Sequence, residues 1–325
     1  MAKVMRWGVL GASKFARMQM VPAMMLAKHT QFSALATSDA QKAHAFQAIQ
    51  PDLTVYDDYQ ALLADPKIDA VYIPLPNHLH VEWCKTALAA GKHVLCEKPI
   101  AMHAREIEGL IEVRDRSGLM LAEAYMIVHH PQWHYAKELY QSGAIGALVQ
   151  VDGVFSYNNS ADPGNIRNRP ETGGGSLPDI GVYTMGSARF LTEEEPQEIL
   201  EANITWQNDV DVWAAISAKF PSFHFNATTS MRMSPRQEMN FHGTDGFIRL
   251  TAPFNPLMFS QAEVELHTKD MLISKKRFPS ENHYVFQLEA FRASAYENAP
   301  YACPLEFSQG TQRMIDLVLE KAQGS

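Results

Sequence analysis

The hydrophobic pattern of the chain changes in character near residue 124. Before that point, short continuous apolar runs alternate with segments of helical spacing, and the runs cover residues 7–11, 31–37, 69–73, 94–96 and 121–126. Continuous apolar runs of this length are typical of strands that are buried on both faces of a parallel sheet. Strand alternating with helix therefore predicts a doubly wound parallel sheet in an N-terminal domain of residues 1–124.

Beyond residue 125 the predicted strands become longer and alternate between apolar and polar positions. The runs cover residues 148–157, 197–207, 211–220, 223–233, 237–242, 247–251, 262–269 and 271–278, with closing helices at 283–298 and 309–321. This pattern predicts a C-terminal α/β domain, residues 125–325, built on a large, open, mostly antiparallel sheet. An exposed β face of this size commonly marks a partner surface, so we expect a homodimer or a tetramer.

Composition and charge narrow the function classes. The chain has 325 residues, of which 46% are hydrophobic and 20% charged, with a net charge of -8. The negative charge argues against a general nucleic-acid binder, and the chain lacks the run of about 18 apolar residues that predicts a membrane span. The N-terminus enters a strand with no signal-peptide pattern before it. Cys84, Cys96 and Cys303 lie far apart, which fits a reducing cytoplasm and forms no metal-binding pattern.

A strand, a tight turn and a helix near the N-terminus carry a degenerate dinucleotide fingerprint. The pattern G-x-G-x-x-G/A has serine in place of the middle glycine and reads Gly11, Ala12, Ser13, Lys14, Phe15, Ala16. Gly11 supplies the turn, Ala16 permits close packing of helix on strand, and the Ser13 hydroxyl can donate to a phosphate. The N–H groups at the start of the helix favour binding of that phosphate. The fingerprint indicates a Rossmann-type nucleotide-binding domain.

The end of the second strand bears on the choice of cofactor. An acid at this place holds the ribose 2′-OH of NAD, whereas an arginine accepts the 2′-phosphate of NADP. Here the strand ends with Thr37 and Ser38, whose hydroxyls can bond a phosphate. Asp39 follows, and it either pairs with a ribose or caps the next helix. The residues favour NADP, with NAD as the alternative.

Two further strand ends carry polar residues. One leads into a rigid turn, Pro74, Leu75, Pro76, Asn77, His78, Leu79 and His80. The histidines lack the neighbours that complete a metal site, so we expect them to cap a helix or flank a cofactor. The next strand delivers Glu97, Lys98 and Pro99 to the edge where open α/β sheets bind ligands. Lys98 is a candidate catalytic group, or else a solvated loop lysine, and the Lys98–Pro99 bond can take either isomer.

A second polar stretch follows in the C-terminal domain. It contains Arg167 and then three glycines, 173–175, whose backbone can approach a ligand closely. Ser176 is expected to cap the helix that follows, in a capping-box-like start with Asp179. Asp179 and Tyr183 are four residues apart and would share one helix face. The alternatives are purely structural: capping for Asp179, core packing for Tyr183 and solvent exposure for Arg167.

Taken together, these motifs resemble the glucose–fructose oxidoreductase, inositol dehydrogenase and rhizopine catabolism (Gfo/Idh/MocA) family of NAD(P)-dependent oxidoreductases. The resemblance rests on residues 73–80, 91–99, 122–126 and 129–132, and the Glu-Lys-Pro triplet in this context is specific for the family. It implies that Lys98 lies beside the nicotinamide and the substrate. The pattern Gly-Gly-Gly-x-Leu-x-Asp-x-Gly-x-Tyr that ends at Tyr183 is similar to the aldose (D-xylose) dehydrogenase and dihydrodiol dehydrogenase branch, whereas inositol-type relatives have His at the last position.

From the motifs and this resemblance we expect two groups of site residues. The cofactor group comprises Gly11, Ala12, Ser13, Lys14, Phe15, Thr37, Ser38, Pro74, Leu75, Asn77, His80, Glu97 and Lys98. The substrate group comprises Lys98, Arg167, Asp179 and Tyr183, facing a cleft between the domains. As a hypothesis, Tyr183 exchanges the proton of the substrate hydroxyl, and Asp179 orients the substrate or Lys98. Lys98 favours the phenolate form of Tyr183 and holds the substrate hydroxyl or the nicotinamide ribose.

The expected activity is hydride transfer between a nicotinamide and a sugar or related cyclic polyol, most simply oxidation of an aldose at C1 to its lactone. The reverse reduction of a keto-sugar, a trans-dihydrodiol dehydrogenase and an aldose–aldose oxidoreductase remain open. A non-catalytic NAD(P) sensor is the alternative of another class. The joint presence of Lys98, Asp179 and Tyr183 favours an enzyme. We expect no metal, no nucleic acid and no membrane among its partners, and a cytoplasmic location.

Overall fold

The computed structural model describes residues 2–324 of the chain. The backbone packs as two compact units, the first formed by residues up to 129 together with 282–309, and the second by residues 130–281 together with those from 310 onward. This division differs from the single boundary expected near residue 124, because the segment 282–309 groups with the first unit. In that segment Phe291 is fully buried, and its ring centroid lies 5.2 Å from that of Trp7.

The first unit contains a six-stranded sheet whose neighbouring strands all pair in parallel. Its spatial order is β3-β2-β1-β4-β5-β6, with β1 (Met5–Leu10), β2 (Thr30–Ala36), β3 (Thr54–Tyr56), β4 (Ala70–Ile73), β5 (His93–Cys96) and β6 (Leu121–Glu123). The predicted doubly wound parallel sheet is thereby confirmed. The order reverses beside β1, so the carboxyl ends of β1 and β4 form the switch point at which such sheets bind ligands.

The second unit contains an eight-stranded, mostly antiparallel sheet in the order β14-β13-β12-β11-β7-β10-β9-β8. Its strands are β7 (Leu148–Asn158), β8 (Glu198–Gln207), β9 (Val210–Lys219), β10 (His224–Ser230), β11 (Arg232–Gly243), β12 (Gly246–Leu250), β13 (Ala262–Thr268) and β14 (Ile273–Phe278). The central pair, β7 and β10, is parallel. This arrangement confirms the predicted open sheet.

The helices alternate with the strands in the first unit and gather on one face of the sheet in the second. They are α1 (Val21–Leu26), α2 (Ala40–Gln47), α3 (Tyr59–Ala64), α4 (His80–Ala89), α5 (Ala104–Ser117), α6 (Pro131–Gln141), α7 (Val182–Thr192), α8 (His283–Glu297) and α9 (Leu305–Gln323). In β11 the fully buried Met239 and Phe241 alternate with the partly exposed Glu238 and Asn240. The period-2 pattern thus separates a helix-covered face from a polar one.

Candidate active site

The nucleotide fingerprint forms the turn after β1. Gly11 has φ of +97°, a conformation that favours glycine, and a Cβ there would lie 2.8 Å from Cδ2 of Leu75. The Oγ of Ser13 accepts a hydrogen bond from the Ala16 amide at 3.0 Å. The Ser13 oxygen therefore caps the helix, while its hydroxyl proton stays available for a phosphate. The helix opens with a π-helical turn, Ala16–Met20, before α1, which the sequence analysis did not predict.

The end of β2 is organised around Asp39. Its carboxylate accepts a hydrogen bond from the Lys42 amide at 3.0 Å and lies 3.6 Å from Nζ of the same lysine. The backbone hydrogen bond from Lys42 lowers the pKa of this carboxylate. The Asp39 amide in turn donates to Oγ1 of Thr37 at 3.2 Å. Of the two roles that the sequence left open for Asp39, the structure shows the cap of α2.

His80 joins two loops at the same edge of the sheet. Its ring is fully buried, with Nδ1 2.8 Å from the Pro99 carbonyl and Nε2 2.8 Å from the Leu75 carbonyl. Both partners are carbonyl acceptors, and burial lowers the pKa of the ring against the two hydrogen bonds, which raise it. The loop after β4 is thereby fastened to the Lys98–Pro99 peptide, which is cis.

Glu97 and Lys98 follow β5 and have partly buried side chains. The hydroxyl of Tyr72, on the neighbouring strand β4, donates to Oε1 of Glu97. Burial and, after it, the charge of Glu97 raise the pKa of Tyr72 well above its ordinary value. Tyr72 therefore remains a neutral donor that fixes Glu97 next to Lys98.

The predicted cofactor residues all lie at the carboxyl ends of four adjacent parallel strands. Residues 11–15 follow β1, Thr37 and Ser38 follow β2, residues 74–80 follow β4, and Glu97 and Lys98 follow β5. Parallel strands present these ends at one edge of the sheet, which is the ligand-binding edge of such folds. Contact of each residue with a cofactor stays a prediction.

A tyrosine of α8, which the sequence analysis missed, also lies beside the fingerprint turn. Tyr284 is 5% exposed, and its ring meets that of Phe15 edge-on at 5.7 Å between centroids. Its hydroxyl has no hydrogen-bond partner among the described residues. The residue stands far along the chain from the fingerprint, in a helix that the sequence analysis assigned to the second domain.

In the second unit, the side chains of Tyr157 and Arg167 both contact the carboxylate of Asp179. The Tyr157 hydroxyl on β7 donates to Oδ2 at 2.6 Å, and Nε of Arg167 lies 2.8 Å from Oδ1. Burial and the charge of Asp179 raise the pKa of Tyr157, so its phenol stays protonated as a donor. The structure thus brings Arg167 and Asp179 together and adds Tyr157. The only signal for Tyr157 was its place in the alternating pattern of β7, two residues after Phe155.

The glycine run packs against the loop that carries Arg167. A Cβ on Gly174 would lie 2.5 Å from the Arg167 carbonyl oxygen. The amides of Gly174 and Gly175 donate to the carbonyls of Arg169 and Arg167, each at 3.0 Å. This approach of two backbones requires glycine, and it holds Arg167 beside Asp179. The sequence analysis had expected the same glycines to approach a ligand.

Tyr183 lies in an aromatic cluster of the second unit. The ring centroids of Phe155 and Phe254 each lie 5.6 Å from that of Tyr183, and the two phenylalanines stack at 5.0 Å. Tyr183 is 5% exposed. The packing role that the sequence left open for this residue is therefore present, and its role in proton transfer stays a prediction.

The capping box expected at Ser176 is wrong. Ser176 has helical angles, φ -73° and ψ -33°, and its side chain forms no cap hydrogen bond. Its hydroxyl donates instead to the Asp211 carboxylate on β9. The continuous helix expected from residue 177 begins as a π-helical turn, Leu177–Gly181, before α7. Such turns are frequent at functional sites.

Residues 2–324 contain neither a metal-binding cluster nor a membrane-spanning helix. No group of His, Cys, Asp and Glu side chains within this range is arranged to hold a metal ion. None of the helices described there combines the length and the apolar character that crossing a membrane requires.

A fingerprint turn at the switch point of a six-stranded parallel sheet defines a dinucleotide-binding protein of the Rossmann class. The comparison with protein families makes this more specific. Residues 5–125 match the model described as "Oxidoreductase family, NAD-binding Rossmann fold", and residues 133–249 match "GFO/IDH/MocA C-terminal domain". The chain belongs to the GFO/IDH/MocA family of oxidoreductases.

Relatives of the chain include sugar dehydrogenases and ketoreductases. Oxidoreductase ORF334 of Rhizobium meliloti is 34% identical over 98% of this chain and 97% of its own length. D-xylose 1-dehydrogenase (NADP(+)) 2 of Haloferax volcanii is 31% identical over 98% of both chains. The crystal structure of KijD10, a 3-ketoreductase from Actinomadura kijaniata in complex with NADP and TDP-benzene, is 28% identical, with a TM-score of 0.90 over 98% of both chains.

Proposed function

We propose that the protein is an NADP-dependent sugar dehydrogenase that oxidises an aldose at C1 to its lactone. The observation that carries the proposal is the likeness to the NADP-dependent D-xylose 1-dehydrogenase over 98% of both chains. The candidate residues agree with it, because Lys98 stands at a ligand-binding strand end and Asp179 and Tyr183 stand on one helical segment. A protein that only senses a nucleotide has no need of such a proton-transfer set.

The residues at the sheet edge fit an NADP cofactor. The Ser13 hydroxyl and the start of the following helix favour a phosphate. Asp39, the acid nearest the end of β2, is engaged as a helix cap, and Thr37 and Ser38 carry hydroxyls suited to a 2′-phosphate. A buried tyrosine hydroxyl usually has a partner, so the orphaned hydroxyl of Tyr284 beside Phe15 suits a bound group.

In the proposed reaction, Tyr183 takes the proton of the C1 hydroxyl as the carbonyl of the lactone forms. The bound nicotinamide supplies the acceptor for the hydride from C1. Lys98 favours the phenolate form of a tyrosine beside it and holds the substrate hydroxyl. Asp179, which is itself held by Arg167 and Tyr157, orients the sugar. Reduction of a keto-sugar uses the same groups in the opposite direction.

Reduction of a nucleotide-linked 3-keto sugar is the second candidate, because the dTDP-sugar 3-reductase of Actinomadura kijaniata is 30% identical over 98% of this chain. A diphosphate is recognised by arginine or lysine side chains. In the polar segment 165–172 of the second unit, Arg167 pairs with Asp179 and Arg169 pairs with Glu171. Arg232 of β11, which donates to Asn168 of that segment, also donates to Asn159. This pairing favours an uncharged sugar.

The experiment measures initial rates by nicotinamide absorbance. NADP+ and NAD+ are tested against pentoses, hexoses and dihydrodiols, and NADPH against dTDP-linked 3-keto sugars. We expect NADP+ reduction with an aldose, and a loss of about 100-fold or more in kcat for Lys98→Met and for Tyr183→Phe, since general acid–base catalysis contributes on this scale. The exposed Lys85 on α4 and the half-buried Tyr140 on α6 supply the controls, Lys85→Met and Tyr140→Phe.

Combining the two substitutions tests whether Lys98 and Tyr183 serve one reaction. Residues that act as a unit are non-additive, so we expect the double variant to be no slower than the slower single variant. Turnover of dTDP-sugars alone would favour the ketoreductase. Tightly bound nucleotide without turnover of any sugar would favour the sensor.

We also propose that two copies of the chain associate through the polar face of the eight-stranded sheet. Five neighbouring strands of that face line an open cavity of about 410 Å³, whose lining includes Ala215, Thr228, Met233 and Arg236. Met233 is 39% exposed there. An exposed β face of this extent is typical of an interface between subunits.

A further inference from the structure

The helical segment that carries Asp179 and Tyr183 begins without a cap of its own. The first N–H groups of a helix have no intrahelical acceptor and need partners from elsewhere. Ser176, the residue at the cap position, is itself helical and makes no side-chain cap bond. The segment is also fully buried at this end, since Ser176 and Leu177 are both 0% exposed. A partner for the first amides must therefore come from another element.

Asp211, near the start of β9, supplies this partner. Its Oδ2 accepts hydrogen bonds from the Leu177 amide and from the Ser176 hydroxyl, both at 2.7 Å. The Ser176 Oγ also lies 3.0 Å from Oγ1 of Thr229 on β10. One carboxylate and one hydroxyl, from two neighbouring strands, thus hold the first turn of the segment.

The backbone before the helix is shaped for this carboxylate. Gly175 has φ of +130°, and a Cβ there would lie 2.0 Å from Oδ1 of Asp211. Glycine is therefore required for Asp211 to reach the Leu177 amide. The Asp179 amide donates to the Gly175 carbonyl at 3.2 Å, so the same turn also sets the backbone of Asp179.

Burial of the Asp211 carboxylate is unfavourable for its charged form. Asp211 is 3% exposed, and burial raises its pKa to about 6, against the hydrogen bonds from Ser176 and Leu177 that lower it. A buried charge is unfavourable unless it is well hydrogen-bonded. A neutral residue would avoid that penalty but would form weaker bonds, because charge-assisted hydrogen bonds are about twice as strong as neutral ones.

We infer that Asp211 is a positioning residue of the proposed active site. Its carboxylate fixes the first turn of the helical segment, through Leu177 and Ser176, and thereby fixes where Asp179 and Tyr183 stand. The inference rests on the proposed function for its catalytic consequence. The anchoring itself is a property of the second unit alone.

The test compares Asp211→Ala and Asp211→Asn with the wild-type chain. Glu263→Gln is the matched control, because Glu263 is a hydrogen-bonded carboxylate of the same sheet, on β13, that bonds Arg277 of β14 and not the helix. Hydrogen–deuterium exchange is followed for peptides covering residues 174–183 of the full chain with NADP+. In parallel, kcat and KM are measured for D-xylose and for NADP+.

For Asp211→Ala we expect at least tenfold faster exchange in these peptides and at least a tenfold lower kcat, with KM for NADP+ within twofold. Asp211→Asn keeps the shape of the side chain and one acceptor oxygen, so we expect smaller effects than in Asp211→Ala. Exchange should still be at least threefold faster than in the wild type, and kcat at least threefold lower. A merely structural role would alter the melting temperature without this split between kcat and the cofactor KM. Glu263→Gln should leave exchange at 174–183 unchanged.

Wild-type exchange and wild-type kcat in a folded Asp211→Ala protein would overturn the inference. If Asp211→Ala does not fold, wild-type values in Asp211→Asn overturn it instead. The exchange measurement needs no substrate, which separates the two proposals. A wild-type protein that oxidises no sugar contradicts the proposed function, whereas unchanged exchange in both variants contradicts the anchor.

Discussion

Arg167 and Arg169 form ion pairs that differ in burial, so we expect their substitution to affect kcat differently. Arg167 pairs with the mostly buried Asp179 at 2.8 Å, whereas Arg169 pairs with the exposed Glu171 at 2.6 Å. We expect Arg167→Gln to lower kcat about tenfold, or ~1.4 kcal/mol, because Asp179 loses its ion pair. Arg169→Gln should change kcat little, since exposed pairs contribute little. Steady-state rates with the aldose substrate measure both, and equal effects would contradict the role of Arg167.

Residue types at the site were easier to predict than their partners. Lys98, Asp179 and Tyr183 stand in recognisable motifs, but Tyr157 lies 22 positions from the carboxylate it bonds, and Asp211 lies 35 positions from Ser176. Strand register decides which side chain of β7 or β9 meets the helix, and a local pattern does not encode register. For the same reason the local sequence predicts Ser176 as the helix cap, although the carboxylate of Asp211 accepts the hydrogen bond from the Leu177 amide.

At the scale of elements, close packing of the glycine run on the Arg167 loop can be tested with one methyl group. A Cβ on Gly174 would lie 2.5 Å from a backbone oxygen, whereas the nearest atom to a Cβ on Gly164 would be 3.9 Å away. We expect Gly174→Ala to lower the free energy of unfolding by about 1–3 kcal/mol through overpacking, and to lower kcat. Gly164→Ala should stay within about 0.5 kcal/mol of the wild type. Guanidinium denaturation measures the difference, and two equal variants would rule out the packing argument.

The strands β12 to β14 are joined by a network of ion pairs centred on Glu265. Its carboxylate accepts from Lys275, lies 3.0 Å from Nε2 of His267 and 3.7 Å from Arg249. Burial raises the pKa of Glu265, but the hydrogen bonds from Lys275 and His267 outweigh it and lower the pKa to about 2. The group therefore binds its proton at lower pH in the folded state than in the unfolded state.

A carboxyl whose pKa is depressed on folding stabilises the protein above its unfolded pKa, about 4.3 for glutamate. That stabilisation is lost as the pH falls through the folded value. We expect Glu265→Gln to lower the free energy of unfolding by roughly 2 kcal/mol at neutral pH, and the difference from the wild type to shrink between about pH 5 and pH 2. Denaturation midpoints across this range measure it. A difference that does not vary with pH would show that the charge of Glu265 is not its source.

Element types followed from the sequence more readily than helix geometry. Period-2 alternation and apolar runs predicted the strands of both sheets except β3 (Thr54–Tyr56), whose three residues are too few to form a recognisable apolar run. The other strands were predictable because burial on one or both faces sets which positions are apolar. The π-helical turns at Ala16–Met20 and Leu177–Gly181 were not predicted. A five-residue turn is too short to show a hydrophobic period of its own, so its position follows from tertiary packing.

At the scale of the whole molecule, the order of the two sheets along the chain was predictable, but the membership of α8 was not. Its apolar positions show that the helix is buried, without showing which core it joins. Phe291 packs on Trp7 of β1, and Tyr284 packs on Phe15 of the fingerprint turn. The nucleotide-binding unit therefore includes residues from near the end of the chain, and one of them packs on the fingerprint turn.

The proposed homodimer interface lies on the polar face of the eight-stranded sheet and can be tested at Thr228. Thr228 lies on the cavity-bearing face, where it is in register with Val154 of β7 and Ala215 of β9. A two-fold interface uses the same patch on both subunits, so a charge placed there meets its own copy nearby. We expect the wild-type chain to sediment at twice its 36.4 kDa and Thr228→Arg to sediment as a folded monomer.

Sedimentation velocity at micromolar concentration measures this, with Gln41→Arg on the exposed side of α2 as the control for added charge. A tetramer that Thr228→Arg splits into dimers would place this face at one of two interfaces. A wild-type monomer, or a dimer unaffected by Thr228→Arg, would contradict the proposal, because like charges across a closed two-fold interface are strongly unfavourable.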